Sequence, residues 1–320
     1  MAKSDSDLIE VRLIAIRYGA RDTNLYEFAR PDGQALPPYE PGAHIDVHLP
    51  NGIVRQYSLV LPAHGPALSY TLGVKRDPAS RGGSRYVHDD LRVGRTLKIS
   101  APRNNFPLRE DASQVILFAG GIGITPIWCM VQRLEELGRS WQLYYACRSR
   151  ADMAFLTTLE HLPGAQFHFD DESAGRFLDV ATILRDAPKD AHLYCCGPTP
   201  MLNAFEAATA DWPREQVHVE YFTPKTPPTD KKGGFIVELA RSGKEFVIPE
   251  GQSILQVLLD AGVDIDYSCE LGICGACEQR VISGEPEHRD AILTEEEQAS
   301  NTKVMICCAG CKSERLVLDL

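Results

Sequence analysis

The sequence reads Ser-Cys-Glu-Leu-Gly-Ile-Cys-Gly-Ala-Cys-Glu from residue 268 to residue 278, and a further cysteine, Cys307, follows Cys277 after 29 residues. This C-x4-C-x2-C run with one distant cysteine is the plant-type spacing of a [2Fe–2S] cluster. The residues between the cysteines are small or flexible, as they must be where backbone N–H groups turn toward sulfur atoms. The stretch therefore predicts a C-terminal plant-type ferredoxin domain of the α+β (β-grasp) class. Its predicted metal ligands are Cys269, Cys274, Cys277 and Cys307.

Two alternatives bear on these ligands. A structural zinc site would also use cysteines, although zinc knuckles are built from paired CxxC units rather than from a C-x4-C-x2-C run. Cys308 and Cys311 stand near the fourth ligand, and register alone does not exclude Cys308.

A polar stretch rich in proline, glycine and lysine precedes this domain, from Thr223 to Gly234. Such a composition is typical of a linker. Strands are predicted beyond it at 235–239 and 245–248, with a helix at 253–261. We therefore predict a multidomain chain with limits at 1–109, 110–222, 223–234 (the linker) and 235–320.

Residues 110–222 alternate strands with helices, which predicts a doubly wound parallel sheet of the α/β class. The apolar strand at 115–119 runs into Gly120-Gly121-Ile122-Gly123, and a helix is predicted from Ile127 to Leu137. Glycines let a backbone approach a pyrophosphate, whose charge a helix N-terminus attracts. Pro126 replaces the third glycine of the usual fingerprint, so an ordinary tight turn is the alternative. Cys195-Cys196-Gly197-Pro198 ends another predicted strand, and the two turns should face one crevice.

Residues 1–109 show short alternating runs separated by Gly, Pro and Asn, a pattern that predicts an antiparallel β-barrel. Arg55-Gln56-Tyr57-Ser58 ends one strand, and Arg81-Gly82-Gly83-Ser84 follows further on. An arginine, a ring and a hydroxyl in alternation suit a flavin, and a Gly-Gly-Ser turn offers backbone donors to a phosphate. A solvated strand followed by a loop is the alternative.

Charge and composition exclude some functions. The net charge of −11 argues against a nucleic-acid partner, because binding phosphates needs a basic face. From residue 226 onward, 17 acidic residues stand against 9 basic ones, so −8 of the −11 lies there. The chain shows neither a secretory signal nor an apolar run long enough for a membrane span. The chain is therefore expected in the cytoplasm, where thiols stay reduced, so its ten cysteines indicate metal ligation or core packing rather than disulfides.

These features together resemble the phthalate dioxygenase reductase family, which includes the reductases of vanillate demethylase and carnitine monooxygenase. The resemblance runs nearly end to end, through RQYSLV, VKRDPASRGGS, PRNNFPL, FAGGIGITPI, YCCGP, SCELGICGACE, SGEPEHRD and RLVLDL. It implies an NADH-dependent, FMN-containing reductase component of a Rieske non-haem iron oxygenase. FAD is the alternative flavin, and the chain is expected to be a monomer. One departure is local: relatives read CxSRA after the fourth ligand, where this chain reads CCAGC.

The resemblance also implies roles for single residues. The FMN phosphate site would comprise Arg55, Arg81, Gly82, Gly83 and Ser84, with Tyr57, Ser58 and Lys75 as further cofactor contacts. The dinucleotide site would comprise Gly121, Gly123, Thr125, Cys196, Gly197 and Pro198. The catalytic residues would be Ser58, Cys196 and Phe222, the last lying close to the flavin ring.

A preference for NADH is expected from Asp170, which follows the strand ending at Phe169. A carboxylate near the adenine ribose repels a 2′-phosphate. Arg148 and Ser149 favour NADPH instead, since such a pair can bind that 2′-phosphate.

Two further functions remain open from the sequence. One is a redox-sensing flavoprotein whose cluster controls binding to a partner. The other is a self-contained reductase that acts on a small molecule.

Overall fold

Residues 8–63, 65–223 and 233–320 are described by a computed structural model. The chain divides between Phe222 and Thr223 into two compact units. Most of the predicted linker, residues 224–232, lies outside the described residues.

The first unit begins with an antiparallel six-stranded sheet that curls into the predicted barrel. Alternate residues face inward, so that Val11, Tyr26 and Ile45 belong to one buried core. A bridge between Leu59 and Leu72 joins the chain just after the fourth strand to the fifth strand, which are the two edges of the sheet. The elements are β1 (Ile9–Ala20), β2 (Thr23–Ala29), β3 (His44–His48), β4 (Val54–Ser58), β5 (Tyr70–Lys75), α1 (Gly83–Asp89) and β6 (Thr96–Ile99), with the sheet order β4-β3-β6-β1-β2-β5.

A five-stranded parallel sheet completes the first unit and confirms the doubly wound prediction. Val115 and Leu117 pack in one core with Ile127, while Ile116 and Phe118 pack on the opposite face. The elements are β7 (Gln114–Gly120), α2 (Ile124–Glu136), β8 (Ser140–Cys147), α3 (Leu156–Leu159), β9 (Ala165–Phe169), α4 (Val180–Arg185), β10 (His192–Cys196), α5 (Thr199–Ala208) and β11 (Val217–Glu220), with the sheet order β11-β10-β7-β8-β9.

The barrel and the parallel sheet contact each other through specific side chains. Arg21, in the turn after β1, donates from Nε to Asp152 Oδ1 over 2.9 Å. Thr125, in the first turn of α2, packs on Gly73 of β5, where an added Cβ would lie 2.6 Å from the Thr125 methyl group. These contacts position the barrel, which carries the predicted flavin residues, against the glycine turn that follows β7.

The second unit has the β-grasp fold that the cysteine spacing predicts. Its elements are β12 (Phe235–Leu239), β13 (Lys244–Ile248), α6 (Ile254–Asp260), β14 (Glu278–Ser283), β15 (Pro286–Glu287), α7 (Glu295–Ser300), β16 (Lys303–Met305), β17 (Gly310–Cys311) and β18 (Arg315–Leu318). The main sheet has the order β13-β12-β18-β14-β16, and β15 pairs separately with β17. Ile254 and Leu258 of α6 pack in one core with Val237 and Leu316 of the sheet.

Every helix in the described ranges is too short or too polar to cross a lipid bilayer.

Candidate functional site

The four predicted ligand cysteines meet in the second unit. Cys269, Cys274, Cys277 and Cys307 are all buried. Cys269 lies within hydrogen-bonding reach of Cys274 and Cys307, and Cys307 also reaches Cys277. The hydrogen bonds from Cys274 and Cys307 lower the pKa of the Cys269 thiol, and the same contacts raise the pKa values of the Cys274 and Cys307 thiols. The four thiols therefore form one coupled group, which must lose its protons when the cysteines bind iron as thiolates.

The backbone of the cysteine loop turns toward the sulfur atoms, as the small intervening residues predict. The N–H of Leu271 donates to Cys269 Sγ over 3.3 Å, and that of Ala276 donates to Cys274 Sγ over 3.4 Å. Gly272 and Gly275 have φ angles of 72° and 76°, which L side chains rarely adopt. The loop therefore supplies both the thiols and the N–H donors that a cluster requires.

Cys308 lies beside this loop, within hydrogen-bonding reach of Cys307. Its Sγ donates to the carbonyl oxygen of Met305 over 3.6 Å. A Cβ on Gly272 would lie 2.5 Å from the same sulfur. Cys308 is also partly exposed, whereas Cys307 is buried, which favours Cys307 as the fourth ligand. In the ranges that the structure describes, no group of three or more His, Cys, Asp or Glu side chains, the four cysteines included, has the arrangement of a site for one metal ion.

The predicted phosphate turn of the barrel is built around Arg55. Its Nη1 donates to the carbonyl oxygen of Val54 over 2.7 Å, and its Nη2 lies 3.4 Å from the carbonyl oxygen of Arg81. A Cβ on Gly83 would lie 2.6 Å from Arg55 Cγ, so only glycine lets the arginine pass here. Ser84 Oγ accepts from the N–H of Asp77 over 3.2 Å. The turn thus combines a guanidinium, a hydroxyl and the left-handed residue Gly82 at the start of α1.

The other predicted flavin contacts occupy different surroundings. Ser58 is buried at the end of β4, paired with His44 of β3. Burial raises the pKa of the Tyr57 hydroxyl well above its usual value. Lys75 lies close enough to Cys147 and Asp152 for its charge to act on both, which places it on the side of the parallel sheet. Phe222 packs, partly buried, against the core that includes Val60 and Cys196.

The two predicted nucleotide turns are in direct backbone contact, which confirms that they share one edge of the sheet. Cys196 of β10 pairs in parallel register with Ala119 of β7. A Cβ on Gly123 would lie 2.5 Å from the carbonyl carbon of Cys196 and 2.9 Å from the nitrogen of Gly197. A glycine at this position is therefore required by the close approach of the second turn.

Gly121 and Thr125 have local roles in the first turn. Gly121 has a φ angle of 53°, and its carbonyl oxygen accepts from Tyr145 Oη over 3.0 Å. The Thr125 hydroxyl donates to the carbonyl oxygen of Ile122 over 3.0 Å, and the side chain is buried. Pro198 precedes α5 as its N-cap residue, just as Gly123 precedes α2.

Glu220 is a site residue that the sequence reading did not include. It ends β11 directly beside Cys196 in the register of the sheet, and the Cys196 Sγ lies 4.0 Å from its Oε2. Burial raises the pKa of Glu220 to about 8 and that of the Cys196 thiol well above its usual value. Both groups therefore hold a proton near neutral pH. The only hint in the sequence is a single carboxyl that ends a strand of the nucleotide sheet.

Asp170 follows β9, as predicted, and β9 is an edge strand of the parallel sheet. Its Oδ1 is 3.5 Å from His168 Nε2. Arg148 is exposed. The Ser149 hydroxyl donates to Asp152 Oδ2 over 2.8 Å and accepts from Arg21 Nη2 over 3.0 Å, so its hydrogen bonds are directed to the contact with the barrel.

Comparison with protein families identifies two of the modules. Residues 237–312 match the 2Fe-2S iron-sulfur cluster binding domain, and residues 117–207 match the oxidoreductase NAD-binding domain. Both matches fall on the elements that carry the cysteines and the glycine turn.

Relatives match over nearly the whole chain. Tetrachlorobenzoquinone reductase of Sphingobium chlorophenolicum is 49% identical over 318 residues, covering 98% of each chain. Vanillate O-demethylase oxidoreductase of a Pseudomonas species is 44% identical, covering 98% of this chain and 100% of that protein. The crystal structure of phthalate dioxygenase reductase, described as a modular structure for electron transfer from pyridine nucleotides to [2Fe–2S], superimposes with a TM-score of 0.76 at 37% identity, covering all of both chains.

A flavin-type barrel, a nucleotide sheet and a four-cysteine ferredoxin in one chain define an iron–sulfur flavoprotein reductase. The chain belongs to the phthalate dioxygenase reductase family. It is a reductase component of an oxygenase system, which uses NADH, FMN and a [2Fe–2S] cluster to deliver electrons.

Proposed function

We propose that the oxygenase served by this chain is a Rieske-type non-haem iron oxygenase. The observation that carries this proposal is the convergence of Cys269, Cys274, Cys277 and Cys307 in the chain that also holds the nucleotide turns. A flavin supplies the conversion of a two-electron hydride into the single electrons that iron centres accept. The chain thus needs a partner whose iron centre takes electrons one at a time.

The FMN phosphate is held by Arg55, Arg81 and the turn Gly82-Gly83-Ser84. Support comes from the arginine side chain that passes over Gly83 and from the hydroxyl of Ser84 beside it. Guanidinium groups suit phosphate because they present several donors in a fixed plane. Tyr57 and Ser58 orient the ring system, and Lys75 extends the positive charge toward the parallel sheet.

The dinucleotide is bound along Gly121, Gly123 and Thr125, with its nicotinamide beside Cys196, Gly197 and Pro198. The backbone contact between these two turns supports a single crevice at the carboxyl ends of β7 and β10. Phe222 covers the flavin side of this crevice. Cys196 and Glu220 remain uncharged next to it, which limits the cost of excluding water from the reacting rings.

Asp170 selects NADH against NADPH by repelling a 2′-phosphate. The hydrogen bonds of the Ser149 hydroxyl with Asp152 and Arg21 support this preference for NADH, because a hydroxyl held in those bonds is not directed toward the nucleotide.

We also propose that the chain acts as a cytoplasmic monomer with domain limits at 1–109, 110–222 and 235–320. The ten free cysteines are consistent with a reducing compartment. The barrel strands end at Ile99, and the parallel strands begin at Gln114.

The test of this function replaces a cluster ligand. Cys274→Ser should abolish transfer of electrons from NADH to the oxygenase, or to cytochrome c, while NADH still bleaches the flavin. Cys308→Ser is the matched control and should export electrons at the parent rate. Export by the Cys274 variant at the parent rate would place the cluster outside the electron path.

A second candidate is direct reduction of a quinone, because one relative is named tetrachlorobenzoquinone reductase. If this chain has that activity, the pure protein should reduce tetrachlorobenzoquinone with saturation kinetics and without a second protein. Reduction that rises only linearly with quinone concentration would leave the oxygenase reductase as the function.

A further inference from the structure

Two side chains of β8 bond to the backbone of one glycine in the predicted dinucleotide turn. Tyr145 and Cys147 are two residues apart, so both lie on the face of the sheet that packs with α2. The Tyr145 hydroxyl donates to the carbonyl oxygen of Gly121 over 3.0 Å, and that oxygen also accepts from the N–H of Ile124. The N–H of Gly121 lies within hydrogen-bonding reach of Cys147 Sγ. Both backbone groups of Gly121 are therefore bonded across to the neighbouring strand.

The same two side chains also bond to the segment that follows β8. Tyr145 is fully buried and Cys147 is 5% exposed. Burial raises the pKa of the Cys147 thiol to about 11, so the sulfur keeps its proton, and it donates to the carbonyl oxygen of Asp152 over 3.7 Å. The N–H of Ala154 lies within hydrogen-bonding reach of the Tyr145 hydroxyl oxygen. The pair thus joins the glycine turn to the segment that Arg21 of the barrel holds.

Packing alone does not account for the hydroxyl of Tyr145. A phenylalanine would fill the same core without burying a hydroxyl, which costs free energy unless it is bonded. The hydroxyl bonds to Gly121, whose Cα faces open space. Among the residues that the structure describes, no atom outside the turn lies within 4 Å of a Cβ built on Gly121. The bond therefore acts on the side of the turn that a ligand can approach.

Gly121 needs such bonds because glycine is conformationally free. Its φ angle is 53°, one of many conformations that a glycine adopts at little cost. The freedom that lets the backbone approach a pyrophosphate must then be lost when the dinucleotide binds. A segment that is ordered before binding removes this entropic cost from the affinity. The bonds from Tyr145 and Cys147 hold Gly121 in one conformation in advance.

We propose that Tyr145 and Cys147 are positioning residues for the dinucleotide, which hold the glycine turn in the conformation that receives the pyrophosphate. The proposal rests on the proposed function, because it places the pyrophosphate at the turn that contains Gly121. The pair bonds to the turn after β7 and not to the nicotinamide turn after β10. Loss of either bond should therefore raise the KM for NADH and leave kcat nearly unchanged, as expected when ground state and transition state lose the same binding.

The test uses the intact holoprotein, with NADH as the donor and ferricyanide as the acceptor. Tyr145→Phe removes only the hydroxyl and should raise the KM for NADH at least about five-fold. Its kcat should stay within about two-fold of the parent value. Tyr144→Phe is the matched control, because Tyr144 lies on the opposite face of the sheet, where its ring stacks on Phe118. This control should keep the parent KM.

Cys147 provides a second test with a conservative rescue. Cys147→Ala removes both bonds of the sulfur and should raise the KM at least about three-fold. Cys147→Ser keeps a donor and an acceptor at the same place and should stay near the parent value. The inhibition constant of ADP-ribose against NADH should rise together with the KM in Tyr145→Phe. That of nicotinamide mononucleotide, which has no pyrophosphate, should not change.

Four outcomes would overturn the proposal: an unchanged KM in Tyr145→Phe, an equal rise in Tyr144→Phe, a KM for Cys147→Ser as high as that for Cys147→Ala, or equal losses of affinity for the two inhibitors. Gly121→Ala separates failure of the positioning role from failure of the site, because its methyl group would enter the open space beside the turn. A KM that rises in Gly121→Ala but not in Tyr145→Phe would reject the positioning role and retain the site. A KM unchanged in both variants would reject both.

Discussion

Glu220 is a single residue that makes the stability of the first unit depend on pH. Burial raises its pKa from the usual 4.5 to about 8. Between these values the folded chain binds more protons than the unfolded chain, so the stability of the fold falls as pH rises through this window. Below about pH 4.5 the carboxyl is protonated in both states, so Glu220 no longer makes the free energy of unfolding depend on pH.

Glu220→Gln should remove that dependence. At pH 8.5 we expect the variant to be more stable than the parent by about 1–2 kcal/mol, less than the full shift implies because the side chain is partly exposed. Near pH 4.5 the two should be equal. All three tryptophans, Trp128, Trp141 and Trp212, lie in the first unit, so urea unfolding followed by their fluorescence measures the difference. The exposed Glu215→Gln serves as the control, and an equal gain there would contradict the assignment.

Asp170 should determine the choice of nucleotide. Asp170→Asn removes the charge that repels a 2′-phosphate, so the ratio of kcat/KM for NADPH to that for NADH should rise at least about ten-fold. The neighbouring exposed residue gives the control, Asp171→Asn. A ratio that stays at the parent value in the Asp170 variant, or that rises equally in both, would reject the role of Asp170.

At the scale of the elements, the sequence predicts those with strong local patterns and misses those without. The strand β12 has the predicted limits, and β13 begins one residue before its predicted start. The helix α2 begins three residues before the predicted start, at Ile124, because Pro126 is compatible with a first helical turn. The helix α7 lacks an apolar face, and its capping box between Thr294 and Glu297 was the available hint.

The strand β1 is longer than its alternating start suggests. The alternation of apolar and polar residues from Ile9 ends at Leu13, whereas the strand continues to Ala20. Ile14, Ile16 and Tyr18 are exposed there, so apolar residues occupy the outer face and obscure the pattern. The cysteine ligands could be predicted because their spacing is a local property. Glu220 could not, because its proximity to Cys196 depends on the pairing of β10 with β11.

The turn at the start of α1 gives a test at the level of elements. In Gly83→Ala the new Cβ would displace the Arg55 side chain from the turn, so the affinity for FMN should fall at least about ten-fold. The flavin released on dialysis measures this, while the cluster absorbance of the second unit provides an internal reference. Arg85→Ala, exposed on the same helix, should retain its flavin. Full retention of FMN by the Gly83 variant would remove the turn from the phosphate site.

At the scale of the whole molecule, charge is unevenly distributed along the chain. Residues 226–320 carry −8 of the net −11. Complementary charge mainly speeds association and is screened by salt. Turnover with the oxygenase should therefore slow several-fold between about 20 and 200 mM salt, while transfer from NADH to the flavin within this chain should barely change. Stopped-flow measurement of both steps tests this prediction. If turnover with the oxygenase did not change with salt, charge would not be what speeds the association of the two proteins.

The contact of Thr125 with Gly73 has a consequence for engineering. The methyl group of Thr125, in the first turn of α2, lies where a β-carbon at position 73 of the barrel strand β5 would collide with it. A chimera that transplants residues 110–222 from a relative must therefore import both partners of this contact or neither. Grafts cut at the apparent boundary between barrel and sheet should express poorly when the recipient strand lacks glycine at position 73, and restoring that one residue should rescue them.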